Sequence, residues 1–351
     1  MQFDASFSSA PTENLVVTSM VIESLWARQV LSVGHGLSLL EAQLNQLTTL
    51  PEQVLLISAG EVKPLLNAKI REFARGLVQK GCQLRFVSAA CTSFHAAVFE
   101  ASQSQSQDCL VIALELDQGL QQACLNSLGV GNDVEQDGLT VLNCVGLCVL
   151  RKKHAEPKDI IIMQCDILSQ PLGMSGTQKL LLMFEDYIKC LPEATQPVSF
   201  AISSQWGKKL ELALQERLSG PFATSEWLAS AEQGQQHFLS LKPLFELQGY
   251  QAALAKGPLL LMTLGGGGRL GCMLISRGLK ADQALTQASL SECCIKSDQS
   301  AYQAALHVKN ECQASYYQQV KHTLKYPQTQ YRGINNHYFR WSETITELLT
   351  M

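Results

Sequence analysis

The residue whose type and setting promise most chemistry is Cys91, in the stretch FVSAACTSFHAAVFEA (86–101). Ser88, Ala89 and Ala90 are small enough for a tight turn, and a helical pattern follows, so the thiol stands where a strand hands over to a helix. A cysteine at a helix N-terminus has its thiolate stabilised by unpaired backbone N–H groups and by the helix dipole. The same N–H groups suit an oxyanion formed at a thioester carbonyl. The competing reading is a small apolar packing residue, one of twelve cysteines in the chain. His95 follows one helical turn later and shares that face, with a structural role as its alternative.

Other candidates are spread along the chain. His237 lies in HFLSLKP (237–243), where a solvated loop histidine competes with a catalytic one, and His35 is a turn residue between Gly34 and Gly36. The run Gly265–Gly268 in LGGGGRLGCMLISR lets backbone approach a ligand closely, but it lacks the Lys-Ser/Thr and the following helix of a nucleotide phosphate loop. Lys208, Lys209 and Arg217 are placed to meet the phosphates of a carrier, or form a plain solvated helix face. The cysteine pairs Cys144/Cys148 and Cys293/Cys294 lack zinc-site spacing, so no metal is expected.

Composition narrows the class. The 351 residues are 46% hydrophobic and 17% charged, against about 25% charge in ordinary soluble domains. Little sequence is spent on solvated surface, which predicts a large core and a buried subunit interface. A formal net charge of −4 argues against a nucleic-acid partner. No apolar stretch approaches the ~18 residues of a membrane span, and MQFDASFSSAPTEN has neither the basic nor the apolar region of a signal peptide. Scattered cysteines fit a reducing compartment, so a cytoplasmic protein is expected.

The elements that must position these groups alternate between short apolar runs and helical patterns, the mark of an α/β protein with a buried sheet. Strands are predicted at 15–22, 54–58, 83–88, 109–116 and 142–153, with helices at 36–47, 67–81 and 91–102. The second half repeats the order: strands at 159–168, 198–203, 258–264 and 270–277, helices at 177–191, 208–218 and 243–257. Matching the halves by role pairs the junction Ser88–Cys91 with the junction Ser203–Gln205 across a pseudo-two-fold axis. Residues 278–351 fall outside the repeat, helical and polar at first, then aromatic and irregular in YPQTQYRGINNHYFRW, where Arg332, His337 and Arg340 gather. That composition suits an interface or a tail wrapping its own core.

The segment SAACTSFHAAVFEA resembles the nucleophile segment of the thiolase-fold condensing enzymes, the β-ketoacyl synthases, and its ACTSF form is similar to the Ala-Cys-Ser-Gly-Phe of the chain-initiating type. LGGGGRLGCMLISR resembles the family's last glycine loop and strand. The resemblance covers roughly residues 14–277 and implies duplicated βα layers (α-β-α-β-α), with halves at about 14–153 and 158–277 and a helical extension over 278–351. It implies Cys91 as nucleophile, Phe94 and Gly265, Gly266, Gly267 and Gly268 at the substrate, and no bound cofactor. It further implies an acyl carrier protein or coenzyme A thioester as donor, and pairing as a homodimer or as a heterodimer with a ketosynthase.

The departures bear on the reaction. Initiating synthases carry a His-Gln-Ala-Asn segment that opens the helix after the third strand of the second half; here the matching stretch is Ser204-Gln205-Trp206-Gly207, so the family's histidine falls on Ser204. The catalytic asparagine belongs before the next helix, where HFLSLKP offers His237 and Ser240 instead. Its aspartate-glycine-alanine-glycine-alanine stretch is eroded to QDGLTVLNCVG. In the family, His and Asn stabilise the enolate left by decarboxylation, which serine does not do. Acyl transfer to a cysteine needs only a thiolate and an oxyanion hole. The resemblance therefore implies either an acyltransferase stopping at the acyl-enzyme, in fatty-acid or polyketide assembly, or a catalytically silent partner like a chain-length factor.

Overall fold

A computed structural model describes residues 20–59, 67–89, 91–116, 140–153, 155–156, 158–169, 199–202, 216, 226–228, 236–265, 269–277 and 341–344. The first half contributes β1 (Met20–Gln29), α1 (Val33–Leu44), β2 (Gln53–Ile57), α2 (Ala68–Gln79), β3 (Gln83–Ser88), α3 (Ser93–Gln103), β4 (Asp108–Glu115), β5 (Thr140–Val141) and β6 (Cys144–Lys152). The second contributes β7 (Ile160–Ser169), β8 (Ser199–Ile202), β9 (Glu226–Leu228) and β10 (Gln236–His237). A 3-10 turn (Leu239–Leu241), α4 (Lys242–Gly249), α5 (Gln251–Leu254), β11 (Leu259–Gly265) and β12 (Arg269–Arg277) complete that half, and β13 (Trp341–Thr344) lies beyond it.

Among the described residues, eleven strands form one mixed sheet in the order β13-β3-β2-β4-β6-β1-β7-β12-β11-β8-β9. Numbered among the strands that each half gives to this sheet, each half runs first, fifth, fourth, second, third outward from the seam, so the two half-sheets share a topology. The seam is the antiparallel pairing of Met20–Ile22 with Ile160–Ile162. β2, β3 and β4 are mutually parallel, as are β8, β9 and β11, which gathers the carboxyl ends of each trio at one edge, where open α/β sheets place their sites.

Period-two alternation explains the layers. On β4, Leu110, Ile112 and Leu114 meet Leu40 and Leu44 of α1 and Ile70 and Leu77 of α2 in one apolar cluster. Cys109, Val111 and Ala113 face the opposite way, into a second cluster with Phe94, Ala97 and Val98 of α3, Leu244 and Leu247 of α4, and Leu259 and Leu261 of β11. Both faces of the sheet are thus covered, the reason these strands read as continuous apolar runs. The second cluster spans both halves, and α3 lies at its middle, packed on β3 and β4 of its own half and on β7 and β12 of the other.

Several expectations shift. The first described strand runs over Met20–Gln29, past the expected end at 22, because Trp26 and Ala27 continue the ladder against β6, while residues 15–19 of the expected strand lie outside the described residues. α1 begins at Val33, capped by the Ser32 hydroxyl accepting from the His35 N–H at 3.3 Å, so His35 belongs to the first helical turn rather than to a glycine turn. The helix expected over 243–257 ends its first part at Gly249, and Tyr250 separates α4 from α5. Within the extension, Trp341–Thr344 is a strand antiparallel to β3, beginning at the last residue of the stretch read as irregular. Its sequence, WSET, carries no apolar alternation; the open edge of β3 supplies its hydrogen-bond partners. The helix expected at 177–191, and the helical stretches 281–290 and 301–325 of the extension, lie outside the described residues, as does all of 208–218 except Glu216, which is helical.

The pairing of junctions is corrected most. β8 lies beside β11 as β2 lies beside β4, so Ser203–Gln205 corresponds to the chain after β2, near Ser58. The counterpart of the β3–Cys91 junction follows β9. Counting strands by apolar runs passed over β9, whose three residues Glu226, Trp227 and Leu228 are exposed or half-buried.

Candidate active site

Cys91 follows the last residue of β3 by three positions and immediately precedes Thr92, the N-cap of α3. It therefore stands at the end of the helix where backbone N–H groups point away from the helical ladder. It is a buried thiol, 2% exposed. The turn that carries it is pinned on both sides. The Thr92 N–H and hydroxyl both donate to the Ala89 carbonyl, at 3.1 and 2.6 Å. The Ser93 hydroxyl accepts from the Ala89 N–H at 2.8 Å and donates to the Ser58 carbonyl at 2.9 Å. Ser93 thereby ties the ends of β2 and β3 to the start of α3.

Among the described cysteines, Cys91 is the one at a helix start. Cys109 and Cys148 lie inside β4 and β6. Burial pushes the Cys109 thiol up to about 12, with Lys152 opposing weakly. Burial, reinforced by Cys109, pushes Cys148 far above the ordinary thiol range. Both are packing residues that stay protonated.

Phe94 and His95 are fully buried in α3, their rings edge-to-face with centroids 6.5 Å apart. The His95 ring lies against Gly271 of β12: a Cβ there would fall 2.6 Å from the His95 Cγ. Burial pulls the His95 imidazole down to about 4. The Leu261 backbone opposes that shift, yet at a geometry short of a hydrogen bond, since neither ring nitrogen has a partner. His95 is thus a neutral imidazole wedged between α3 and β12 at neutral pH.

Sequence reasoning passed over Glu115, the last residue of β4, which is 0% exposed. Its Oε1 accepts from the Ala59 N–H at 2.6 Å, from the Ser240 N–H at 3.4 Å and from the Ser240 hydroxyl; its Oε2 accepts from the Ser58 hydroxyl at 3.2 Å. The available signal was a lone carboxylate inside CLVIALEL, a strand otherwise buried on both faces, which demands partners.

His237 ends β10, paired in parallel with Val141 of β5, and the 3-10 turn that follows packs on α3, β4 and β6. The structure therefore brings the segment 237–241 of the second half against the helix that starts beside Cys91. Gly265 closes β11 opposite Arg269. The parallel register Ile202–Met262 sets the ends of β8 and β11 side by side, so the chain leading to Ser204 and that leading to the glycine run start from one edge. Ser204, Gly266, Gly267, Gly268, Lys208, Lys209, Arg217, Arg332, His337 and Arg340 lie outside the described residues. Among the described residues no cluster of side chains is arranged to hold a metal, and no helix is long and apolar enough to cross a membrane.

Two duplicated half-sheets, with a buried helix of the first half running beneath the seam, define the thiolase fold. Neither family models nor curated proteins give a sequence match. Solved structures do. A variant of OleA from Xanthomonas campestris aligns over 72% of this chain and 84% of its own, with TM-score 0.51 and 14% identity. Cerulenin-bound OleA from the same organism covers 72% and 83%, with TM-score 0.50 and 14% identity. ChlB3, described as an "Aceyltransferase", is covered in full by 76% of this chain, with TM-score 0.50 and 14% identity. These neighbours share the thiolase fold, and at such identity the likeness establishes the fold alone.

Proposed function

We propose that this chain is a β-ketoacyl-synthase-like acyltransferase in which Cys91 accepts an acyl group from a coenzyme A or acyl-carrier-protein thioester. The observation that carries the reading is the placement of Cys91 alone, among the described cysteines, at a helix N-terminus, in a turn held by Ser93 and Thr92. The thiolate attacks the thioester carbonyl carbon, and the oxyanion is met by the Cys91 N–H and an N–H of the Gly265–Gly268 loop. Collapse breaks the carbon–sulfur bond to the carrier, whose thiolate leaves and takes a proton from solvent. An acyl-enzyme on Cys91 remains. Substrates would be fatty-acyl or polyketide intermediates, and ChlB3 supports acyl transfer as the class.

The resemblance assigns Ser204 and His237 to the positions of the family's catalytic pair, although Ser204 follows β8, the second strand of its half, and not the third. The residues present at both places support a reading in which condensation is lost. The chain after β8 opens with Ser203 and Ser204, and no asparagine occurs between β9 and α4, from Ala229 to Leu241. That same observation favours the second reading, a silent subunit that pairs with an intact ketosynthase.

Intact-mass measurement after incubation with a panel of acyl-CoA and acyl-carrier thioesters, beside Cys91→Ala, tests the proposal. An acyl-sized adduct absent from the variant supports the acyltransferase and identifies the preferred chain. Folded protein that takes no acyl group from any donor, and that instead purifies at one-to-one stoichiometry with a ketosynthase, establishes the silent subunit.

A further inference from the structure

The acyl-transfer scheme leaves Glu115 without a role, although a buried carboxylate is costly unless it is fully hydrogen-bonded. Standing at the end of β4, it accepts hydrogen bonds from two separate segments among the described residues: Ser58 and Ala59 after β2, and Ser240 on the 3-10 turn of the second half. The carboxylate is satisfied only when these segments are all in place. The turn itself is held rather than relaxed: Leu239, buried at 3%, has φ +48, a left-handed conformation unusual for leucine. Beneath it, a Cβ on Gly146 would fall 2.9 Å from the Leu241 Cδ2, so β6 approaches the turn as closely as glycine allows.

From Glu115 the contacts continue to the nucleophile. Ser58 donates to Glu115 through its hydroxyl and accepts from Ser93 through its carbonyl, and Ser93 in turn accepts from the Ala89 N–H. Ser240, Glu115, Ser58, Ser93 and Ala89 form one unbroken chain of hydrogen bonds, beginning in the second half and ending two residues before Cys91. We propose that Glu115 is a positioning residue: it locks the 3-10 turn of the second half to the turn that presents the Cys91 thiol, so that each holds the other in register. The inference rests on Cys91 as the reacting group.

Glu115→Gln keeps the volume but turns a donor toward groups that are themselves donors, and Ser240→Ala removes one contact with a minimal change of shape. Two readouts on the full chain decide. Hydrogen exchange over Ser88–Phe94 is expected to quicken about tenfold in both variants, while the α2 peptide Ala68–Gln79, remote from the chain of bonds, exchanges as in the parent. The pH profile of iodoacetamide alkylation at Cys91, read by peptide mass, is expected to depart from the parent's in both, with Ser240→Ala, which removes no charge, reporting the change of position alone. Exchange and alkylation profiles that superimpose on the parent overturn the proposal. If Glu115→Gln fails to fold, Ser240→Ala alone decides by the same criteria. A parent Cys91 closed to iodoacetamide at every pH counts against the nucleophile, and the exchange experiment then decides the coupling by itself. Absence of an acyl adduct from every donor refutes the proposed function without touching either readout.

Discussion

Gly271→Ala offers a sharp test of how α3 is seated. An alanine Cβ at this position would meet the His95 ring at 2.6 Å (Cγ), 2.8 Å (Cδ2) and 2.9 Å (Nδ1). Relaxed contacts between such atoms are about 3.5–4.0 Å, so ring and strand must part by about 1 Å. The ring has no cheap retreat: His95 is fully buried, and Ala96 and Ala97 beside it on α3 are 0% exposed. Overpacking of this kind costs about 1–3 kcal/mol, and the upper half of that range is expected because three ring atoms clash together. At about 2 °C per kcal/mol, the low end for large chains, the melting temperature falls by about 4–6 °C. Equilibrium urea unfolding of Gly271→Ala, His95→Ala and the double variant separates clash from general damage. Removing the ring opens the space that the new methyl occupies, so the double variant is expected to lose about 1–2 kcal/mol less than the sum of the singles. A Gly271→Ala protein within about 0.5 kcal/mol of the parent, or costs that simply add, refutes this account of the α3–β12 contact.

Two further outcomes follow from the same region. With its folded-state value near 4 against 6.5 in the unfolded chain, His95 leaves stability unaffected above about pH 6.5, where both states are neutral. Between about 6.5 and 4 the unfolded chain takes the proton first, so stability falls as pH drops, by about 3 kcal/mol in all; urea midpoints across that window should show the slope, and His95→Leu should flatten it. Ser93→Ala strips partners from the buried Ala89 N–H and the Ser58 carbonyl. At about 1–3 kcal/mol for each orphaned group, a loss of at least about 2 kcal/mol is expected in denaturant unfolding, and a neutral result would show that the turn holds without it.

The strands that carry the fold were legible where the sheet is buried on both faces. QLRFVS is β3 residue for residue, and the runs behind β2, β4, β6, β11 and β12 were placed within two residues at either end. Burial forces apolar side chains at every position there, so the run itself marks the strand. β9 and β13 were missed because sheet edges ask for backbone pairing and impose no apolar pattern: EWL and WSET could be loop anywhere else. One missed edge strand was enough to shift the pairing of the two halves and to align Ser203–Gln205 with the wrong junction.

Cys91 stood out because the chemistry of a helix N-terminus is local: small residues, a thiol and a helix start lie within a few positions of one another. The sequence by itself determined that junction, the layered α/β class and most of the central strands, since each depends on neighbours in the chain. It could not determine what Glu115 does, nor that His95 rests on Gly271, because those partners lie 125 and 176 positions away along the chain. Such contacts exist only after two half-sheets have been brought together at the β1–β7 seam and a 3-10 turn from one has been laid on the other. Local propensity is set by a residue and its near neighbours; the satisfaction of a buried carboxylate and the room beside a buried ring are set by whatever the fold places next to them.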